Sequence, residues 1–322
     1  MIYVPSGRFL EAELSACSQL SGRFILEKAK ADNNGNPIEA TRVKVAEFDN
    51  IITNQGLNRI GTNNDWLRHI QVGSGTATPA ATDTGLASFV AGTDDFISTS
   101  STIQSSPPYY ATRTLTRRFV AGAAAGNLSE VGIGWASTGS ALFSRALILD
   151  GGGVPTTITV LSDEVLDVTY QIRIYPPAND VSGSITVTGV GTVSTTTRAS
   201  IVTSAGNWAI NQNGVQGGPS DLTNNHRAYT GAIGVITAQP SGTNESASTA
   251  SLSAYSNNSF QRDATITWGL GAANFGINSI QFSFGPSFEF GLMQVGLGTT
   301  ITKNNTQTLS LNARHQWARR TL

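Results

Sequence analysis

Three acidic residues, Asp163, Glu164 and Asp167, lie close together at the start of a strand pattern. Paired carboxylates are the catalytic groups of glycoside hydrolases, which place two acids across the bond that they cleave. Acidic residues clustered at one strand entry are more typical of a solvated turn. The sequence therefore favours a solvent-exposed turn at these residues over a catalytic pair.

The three histidines and the single cysteine form no pattern for a metal site. His69, His226 and His315 lie in separate segments, without the short spacings that let two histidines bind one ion. His315 falls on the apolar side of the last strand pattern, which favours a core histidine over a ligand. Cys17 alone can form neither an internal disulfide nor a site with several thiolates. We therefore predict no metal and no cofactor.

Two glycine-rich segments, 73–75 and 132–134, begin like a nucleotide-binding loop but do not complete it. Neither continues as Gly-X-Gly-X-X-Gly, and neither clearly opens a helix after a strand. The sequence also lacks the nucleophile motif Gly-X-Ser-X-Gly and the zinc motif His-Glu-X-X-His. We therefore expect a protein that is not an enzyme.

The aromatic residues that could form an interaction surface are Trp208, Tyr229 and Tyr255. An exposed tryptophan or tyrosine combines a flat apolar ring with a polar group, which suits contact with a sugar. Each of the three is equally consistent with a core residue, and core packing is the favoured alternative.

Low charge limits the partners. Of the 322 residues 13% are charged, and the formal net charge is −1, whereas binding to nucleic-acid phosphates needs clustered lysine and arginine. No apolar window approaches the ~18 residues of a membrane-spanning helix, and the N-terminus does not resemble a signal peptide. We expect neither nucleic acid nor membrane insertion, and a protein made and kept in the cytoplasm of the producing cell.

The clearest strand pattern runs from Val168 to Ile174, where apolar and polar residues alternate. A period of two places one set of side chains on a buried face. Pro176 and Pro177 end the strand because neither can donate a ladder hydrogen bond. A second, more continuously apolar run covers 142–149, and the residues between the two leave no room for a crossover helix.

Turn and spacing signals predict further elements of the first half. Residues 24–29 and 41–48 should form a hairpin across the turn ADNNGNP, and a short helix is expected at 54–60. Composition adds three predictions: an arm or short helix over 1–22, an exposed Ser/Thr-rich loop over 91–110, and an edge or interface strand over 112–119.

The composition changes after the Pro-Pro pair, and we place a domain boundary there. Strand patterns with turns about every ten residues continue to the end of the chain, among them 232–236, 278–284 and 306–317. We therefore predict an all-β protein with at most one or two short helices. Its two β-sandwich or jelly-roll-like domains are expected to span 1–177 and 178–322.

Several sequence blocks occur in the order found in one family. They read FDNIITNQGLNRIG, WLRHIQVGSGTATPAATDTGL, GNLSEVGIGW, LFSRALILD and PTTITVLSDEVLDVTYQIRIYPP. In these blocks the chain resembles virion structural proteins of tailed bacteriophages, often described as tail-fibre-like or tail-associated. The ending ITKNNTQTLSLNARHQWAR is similar to the closing strand of such proteins. The resemblance implies a component of a phage particle.

From this resemblance we expect a tail- or fibre-type component of the virion, whose domain 1–177, with an N-terminal arm, docks on the particle. The domain 178–322 would project and contact partners, with a role in attachment to a host-surface glycan. Expected partners are other phage structural proteins and further copies of the chain, in a trimer or hexamer. The alternatives are a capsid decoration or collar protein that clamps neighbouring subunits and, less favoured, a virion enzyme that degrades host glycan.

Overall fold

The computed structural model describes residues 13–63, 65–201, 226–283 and 292–320. Within these ranges the chain consists of β-sheets, one α-helix, α1 (Asn54–Ile60), and one short 3-10 turn, Glu39–Thr41. The predicted all-β class is therefore confirmed, while the number of domains and their sandwich or jelly-roll type stay predictions. No helix in the described ranges is long and apolar enough to cross a membrane.

Twenty-one strands lie in the described ranges. They are β1 (Glu13–Lys30), β2 (Val43–Asp49), β3 (Ile51–Ile52), β4 (His69–Gly73), β5 (Phe89–Thr93), β6 (Phe96–Gln104), β7 (Tyr110–Phe119), β8 (Gly126–Leu128), β9 (Glu130–Gly134), β10 (Leu142–Leu147), β11 (Ile158–Val160), β12 (Glu164–Tyr175), β13 (Val181–Val187), β14 (Gly191–Ser200), β15 (Arg227–Tyr229), β16 (Asn244–Ser246), β17 (Thr249–Leu252), β18 (Gln261–Trp268), β19 (Gly276–Ser283), β20 (Leu292–Thr302) and β21 (Leu309–Arg319).

Strand β1 lies inside the largest sheet, which has eight strands. Their order is β17-β18-β21-β1-β12-β7-β6, and β2 also pairs with β1. On one edge, β12 runs antiparallel to β1 from Gln19 to Lys30. On the other edge, β21 runs parallel to Glu13–Leu20 and β2 runs antiparallel to Arg23–Lys28. The predicted hairpin of β1 and β2 is confirmed.

The alternation predicted for β12 is also confirmed. Val168, Tyr170 and Ile172 are fully buried, whereas Thr169 on the opposite face is partly exposed. The ring of Tyr170 packs against Phe24 of β1, with 4.8 Å between the ring centroids. The apolar face of β12 therefore forms part of the core.

The five-stranded sheet, in the order β3-β10-β9-β4-β5, and the pair β11-β8 come from the first half of the chain. Phe143 on β10 packs against Trp66, with 4.7 Å between their ring centroids. Both residues belong to a hydrophobic cluster that also contains Phe24 and Tyr170 of the largest sheet. The two sheets thus share one core.

Helix α1 forms at the predicted residues. Oγ1 of Thr53 accepts a hydrogen bond from the Gly56 amide at 2.9 Å and caps the first turn. Leu57 and Ile60 are buried, and Trp317 of β21 donates its Nε1–H to the Leu57 carbonyl oxygen at 2.8 Å. The helix of the first half is thereby bound to the last strand.

The six-stranded sheet has the order β13-β14-β20-β19-β15-β16 and contains only residues beyond the predicted boundary at 177. The largest sheet, in contrast, takes β17, β18 and β21 from 178–322 and its other strands from 1–177. The hydrophobic cluster likewise contains residues from both parts. Strands on the two sides of the boundary therefore share one sheet, and the division into two domains stays a prediction.

The prediction of an arm or short helix over 1–22 is wrong from Glu13 onward, because β1 begins there; residues 1–12 lie outside the described ranges. Leu14, Ala16 and Leu20 are buried, and polar residues separate them. This spacing has the period of a strand, so β1 is longer than the hairpin signal indicates.

The predicted loop at 91–110 is also wrong, since it contains the end of β5 and the whole of β6. Strand β7, predicted as an edge or interface strand, is not an edge, because it pairs with both β12 and β6; β6 is the edge. Most residues of β6 are exposed, so its sequence has no buried apolar face to reveal a strand. The strand predicted at 232–236 is a loop.

Candidate functional site

An open groove of about 580 Å³ lies on the six-stranded sheet. Strands β14 and β20 form its floor, and the residues that follow β15 form one wall. The groove is lined by Asp180, Ser194, Thr196, Arg198, Ala232, Ile233, Asn278, Gly296, Leu297 and Gly298. Hydroxyl, amide and charged groups therefore outnumber large apolar side chains at this surface.

The alternation of β14 explains the floor of the groove. Val193 and Thr195 are buried toward the core, while Ser194 and Thr196 are directed to the opposite face and line the groove. On the neighbouring strand β20, Gly296 pairs with Thr196. Because glycine has no side chain, the backbone of Gly296 lines the groove next to the hydroxyl group of Thr196.

An ion pair stands at one side of the groove. The guanidinium of Arg198 donates from Nε and Nη2 to the two carboxylate oxygens of Asp180 at 2.7 and 2.6 Å. These hydrogen bonds hold the pKa of Asp180 below its usual range. Nη1 of Arg198 also donates to the Gly234 carbonyl oxygen at 2.8 Å. Both charges are fixed in geometry, and both side chains remain partly exposed to solvent.

The loop that follows β15 and lines the groove is held by a buried glutamine. Oε1 of Gln294 accepts from the Gly234 amide at 2.7 Å, and its Nε2 donates to the Val235 carbonyl oxygen at 3.2 Å. Ser279 adds a hydrogen bond to the Gly231 carbonyl oxygen at 2.6 Å. Side chains of the sheet thus satisfy the backbone of this loop, which is why 232–236 need no strand partner.

Of the predicted aromatic surface, Tyr229 and Tyr255 are not among the described residues that line the groove. Tyr229 is only 2% exposed and donates its hydroxyl to Oε1 of Gln281 at 3.1 Å. Tyr255 is partly buried, stacks on Trp317 and donates to Oδ1 of Asn58. Trp208 lies outside the described residues. The positions of the two tyrosines favour core packing, the alternative drawn from the sequence.

The acids at 163–167 do not form a solvated turn, apart from the exposed Asp163. Asp167 is 3% exposed and accepts two hydrogen bonds from Arg118, both at 2.7 Å, and one from Arg42 at 2.7 Å. Glu164, also buried, pairs with the Lys28 ammonium at 3.0 Å. The prediction is wrong for these two residues because they belong to β12 and have cationic partners on neighbouring segments.

A buried ion pair without a sequence prediction lies under the loop after β4. Glu130 is fully buried on β9, and Arg145 on β10 is 2% exposed. Nη2 of Arg145 lies 2.7 Å from Oε2 of Glu130, and Nη1 lies 2.5 Å from Oδ2 of Asp83. Arg145 also donates to the Ala77 carbonyl oxygen at 2.9 Å. The guanidinium therefore binds the loop at two further points.

The carboxylate of Glu130 completes this loop-binding network. It accepts hydrogen bonds from the amides of Gly75, Ala87 and Ser88 at 2.7–3.0 Å. A Cβ atom at Gly73 or Gly75 would overlap this carboxylate. The glycines of segment 73–75 thus leave the space that the Glu130 side chain occupies beside the loop. An acid at the first position of the otherwise uncharged strand β9 is the sequence signal that could have revealed it.

The histidines do not come together. His315 is buried on β21, which confirms the predicted core position, and His226 is fully buried immediately before β15. Burial lowers the pKa of His315 to about 3 and that of His226 to about 4. His69 is half-buried, and desolvation lowers its pKa as well. Among the described residues, no cluster of three His, Cys, Asp or Glu could hold a metal ion.

Comparison with known proteins adds no relative. No family model, no curated protein and no solved structure matches the chain.

We predict that Arg145→Met lowers the free energy of unfolding by about 3–5 kcal/mol, because it leaves the Glu130 carboxylate buried without its cation. Arg23→Met, which removes a partly exposed pair with Glu47 and Asp49, should cost at most about 1 kcal/mol. Urea unfolding followed by circular dichroism measures both. Equal losses in the two variants would contradict a structural role for the buried pair.

The buried histidines predict a loss of stability in acid. Their folded-state pKa values lie below the unfolded value of about 6.5, so their contribution is complete above that pH and declines as the pH falls toward about 4. Each histidine should remove about 1.4 kcal/mol per pH unit in this window. Unfolding free energies of His315→Gln and the wild type at about pH 7 and about pH 5 test this. An unchanged pH dependence in the variant would refute it.

Proposed function

We propose that the chain is a structural component of a tailed-bacteriophage particle, of tail or fibre type, which attaches to host-surface glycan through the groove. The resemblance of the sequence blocks to virion proteins supports the first part. The groove lined by the Asp180–Arg198 pair, by hydroxyl groups of β14 and by the loop residues Ala232 and Ile233 is the observation that carries the second part.

The groove suits a neutral, polyhydroxylated ligand. Ser194 and Thr196 can each donate and accept a hydrogen bond, and the fixed pair of Asp180 and Arg198 offers acceptors beside donors. A sugar presents the same alternation of donors and acceptors on its hydroxyl groups. The groove belongs to the sheet formed after residue 177, the part expected to project from the particle.

The composition suits an assembly that leaves the cell. With 13% charged residues, surface ion pairs contribute little that salt could screen. Hydroxyl-rich sheets with free edges are also suited to assemblies in which neighbouring subunits cover those edges. Both features support a virion component without distinguishing its position.

A capsid decoration or collar protein is the second candidate, favoured by uncharged strands at the sheet edges that could clamp neighbouring subunits. A glycan-degrading enzyme has less support, because Asp180 is the one carboxylate among the described residues that line the groove. Glycoside hydrolases generally need two.

Labelled antibodies against the full chain should bind the tail or its fibres when purified particles are imaged. Quantitative mass spectrometry should then give a copy number that is a small multiple of three or six. Label over the capsid with hundreds of copies would select the decoration protein instead. Particles without label and without the chain would refute a virion component.

The groove itself predicts the effect of a single substitution. Ser194→Leu should weaken binding of the purified full chain to host cells or their surface polysaccharide by about tenfold or more, because it replaces a hydroxyl and fills the floor. The control Ser251→Leu changes an exposed serine of β17, outside the groove, and should bind as the wild type does. Equal binding by both variants would show that the groove is not the contact.

A further inference from the structure

Strand β6 is an exposed edge without the usual protection against pairing. It has nine residues, FISTSSTIQ, with no charge and no proline. It ends the eight-stranded sheet, and no strand in the described ranges pairs with its outer edge. Natural edge strands commonly carry charges or proline, or are short, because free backbone groups attract another strand. Strand β2, for comparison, carries Lys44, Glu47 and Asp49.

The sequence of β6 is nearly symmetric about its central residue, Ser100. When the strand is placed antiparallel to a copy of itself with Ser100 opposite Ser100, Ile97 faces Ile103. Ser98 then faces Thr102, and Thr99 faces Ser101. In these three pairs an isoleucine meets an isoleucine and each hydroxyl meets a hydroxyl, whereas Phe96 and Gln104 face each other at the strand ends. Such like pairs are favourable across antiparallel strands.

The two-fold symmetry of such a pair is also compatible with the register that places Ser100 opposite Ser100. A two-fold axis perpendicular to the sheet keeps each side chain on its own face, and residues opposite each other in an antiparallel pair share a face. A residue can therefore face only residues an even number of positions away, and Ser100 opposite itself satisfies this rule. The irregularity of β6 lies at its start, between Phe96 and Ser98, and makes Ile97 the extra residue; the pairs Ser98–Thr102 and Thr99–Ser101 lie in the regular part of the strand.

We propose that β6 pairs antiparallel with β6 of a second copy of this chain, about a two-fold axis at Ser100. The contact joins two eight-stranded sheets into one continuous sheet. It covers Ile97, which is 40% exposed in the single chain, with Ile103 of the second copy. The backbone of β6 gains the hydrogen bonds that its outer edge otherwise makes with water.

Charge does not oppose this association. The chain has a formal net charge of −1, so two copies repel each other little. Two buried arginines of β7, Arg113 and Arg117, lie beside the strand. Nη1 of Arg113 donates to the Ser101 hydroxyl at 3.5 Å, and Nη1 of Arg117 donates to the Asp94 carbonyl oxygen at 2.8 Å. Both cations thus contact groups of their own chain.

The pairing has a consequence for symmetry. A two-fold contact is found in a dimer, or in a hexamer that combines two-fold and three-fold axes, but not in a trimer with three-fold symmetry alone. It is independent of the proposed function, because it rests on β6 and not on the groove or on the resemblance.

Strand β13 (Val181–Val187) is the competing edge. It is also uncharged and ends its sheet, and its central residue is Ser184. Self-pairing of β13 would place Gly183 opposite Ile185, and a glycine inside a strand weakens it. Strand β6 is longer and contains no glycine, which favours it as the paired edge.

Introducing a charge at Ser100 tests the proposal. The oligomeric state is measured by sedimentation velocity and multi-angle light scattering over a concentration series. The wild type should be dimeric or a larger even-numbered oligomer. Ser100→Lys and Ser100→Glu each place like charges opposite each other, and each should raise the dissociation constant of the two-fold contact by about tenfold or more. An equimolar mixture of the two variants should restore the association, because Lys then faces Glu.

Ser184→Lys is the matched control, since it adds the same charge at an exposed serine in the centre of β13, another uncharged edge strand. It should associate as the wild type does, and circular dichroism should show all variants folded. A monomeric wild type would refute the proposal, whether another segment of the chain or another protein covers β6. Dissociation by Ser184→Lys but not by Ser100→Lys, or failure of the mixture to associate, would refute it as well.

Discussion

The hydrogen bonding of β1 on both edges is the constraint on which the other elements depend. One edge is occupied by β12, and the other is shared by β21 and β2. The first strand of the described chain can therefore complete its pairing only when the last strand has joined the sheet. Contacts between such distant segments are slow to form, since a long loop must close before they contribute. The two ends of the chain thus fold into one unit around the core of the first half.

Inside this framework, the residues that resemble catalytic groups hold segments in place. Glu130 and Arg145 bind the loop after β4, and Asp167 joins β12 to β7 and to Arg42. Gln294 does the same for the groove wall. Burying these polar groups is acceptable because hydrogen bonds satisfy them, whereas removing one partner would leave a costly unpaired group. Long loops can thereby be ordered in a protein with one α-helix in its described ranges.

Prediction from sequence succeeds where a strand or helix has one buried face. Val168 to Ile174, the helix at 54–60 and the last strand all show their period directly. Strand β6 has exposed residues on both faces, and β14 buries Thr195 and Thr197 in place of apolar residues, so their sequences carry no alternation. Strand β20 contains Gly296 and Gly298, which local rules associate with turns. The groove could not be predicted because its floor joins two such strands and its wall is held by Gln294.

The proposed edge pairing and the groove use different residues, so one contact does not block the other through shared side chains. Strand β6 belongs to the eight-stranded sheet, and the described residues that line the groove all lie outside that sheet. A groove that binds by a few hydroxyl contacts gives weak affinity, because each such hydrogen bond replaces one with water. Two linked copies turn the second binding event into an intramolecular one, which raises the overall affinity without a new contact. Pairing of two copies through the uncharged strand β6 would then compensate for the weak binding that a neutral, hydroxyl-lined groove provides.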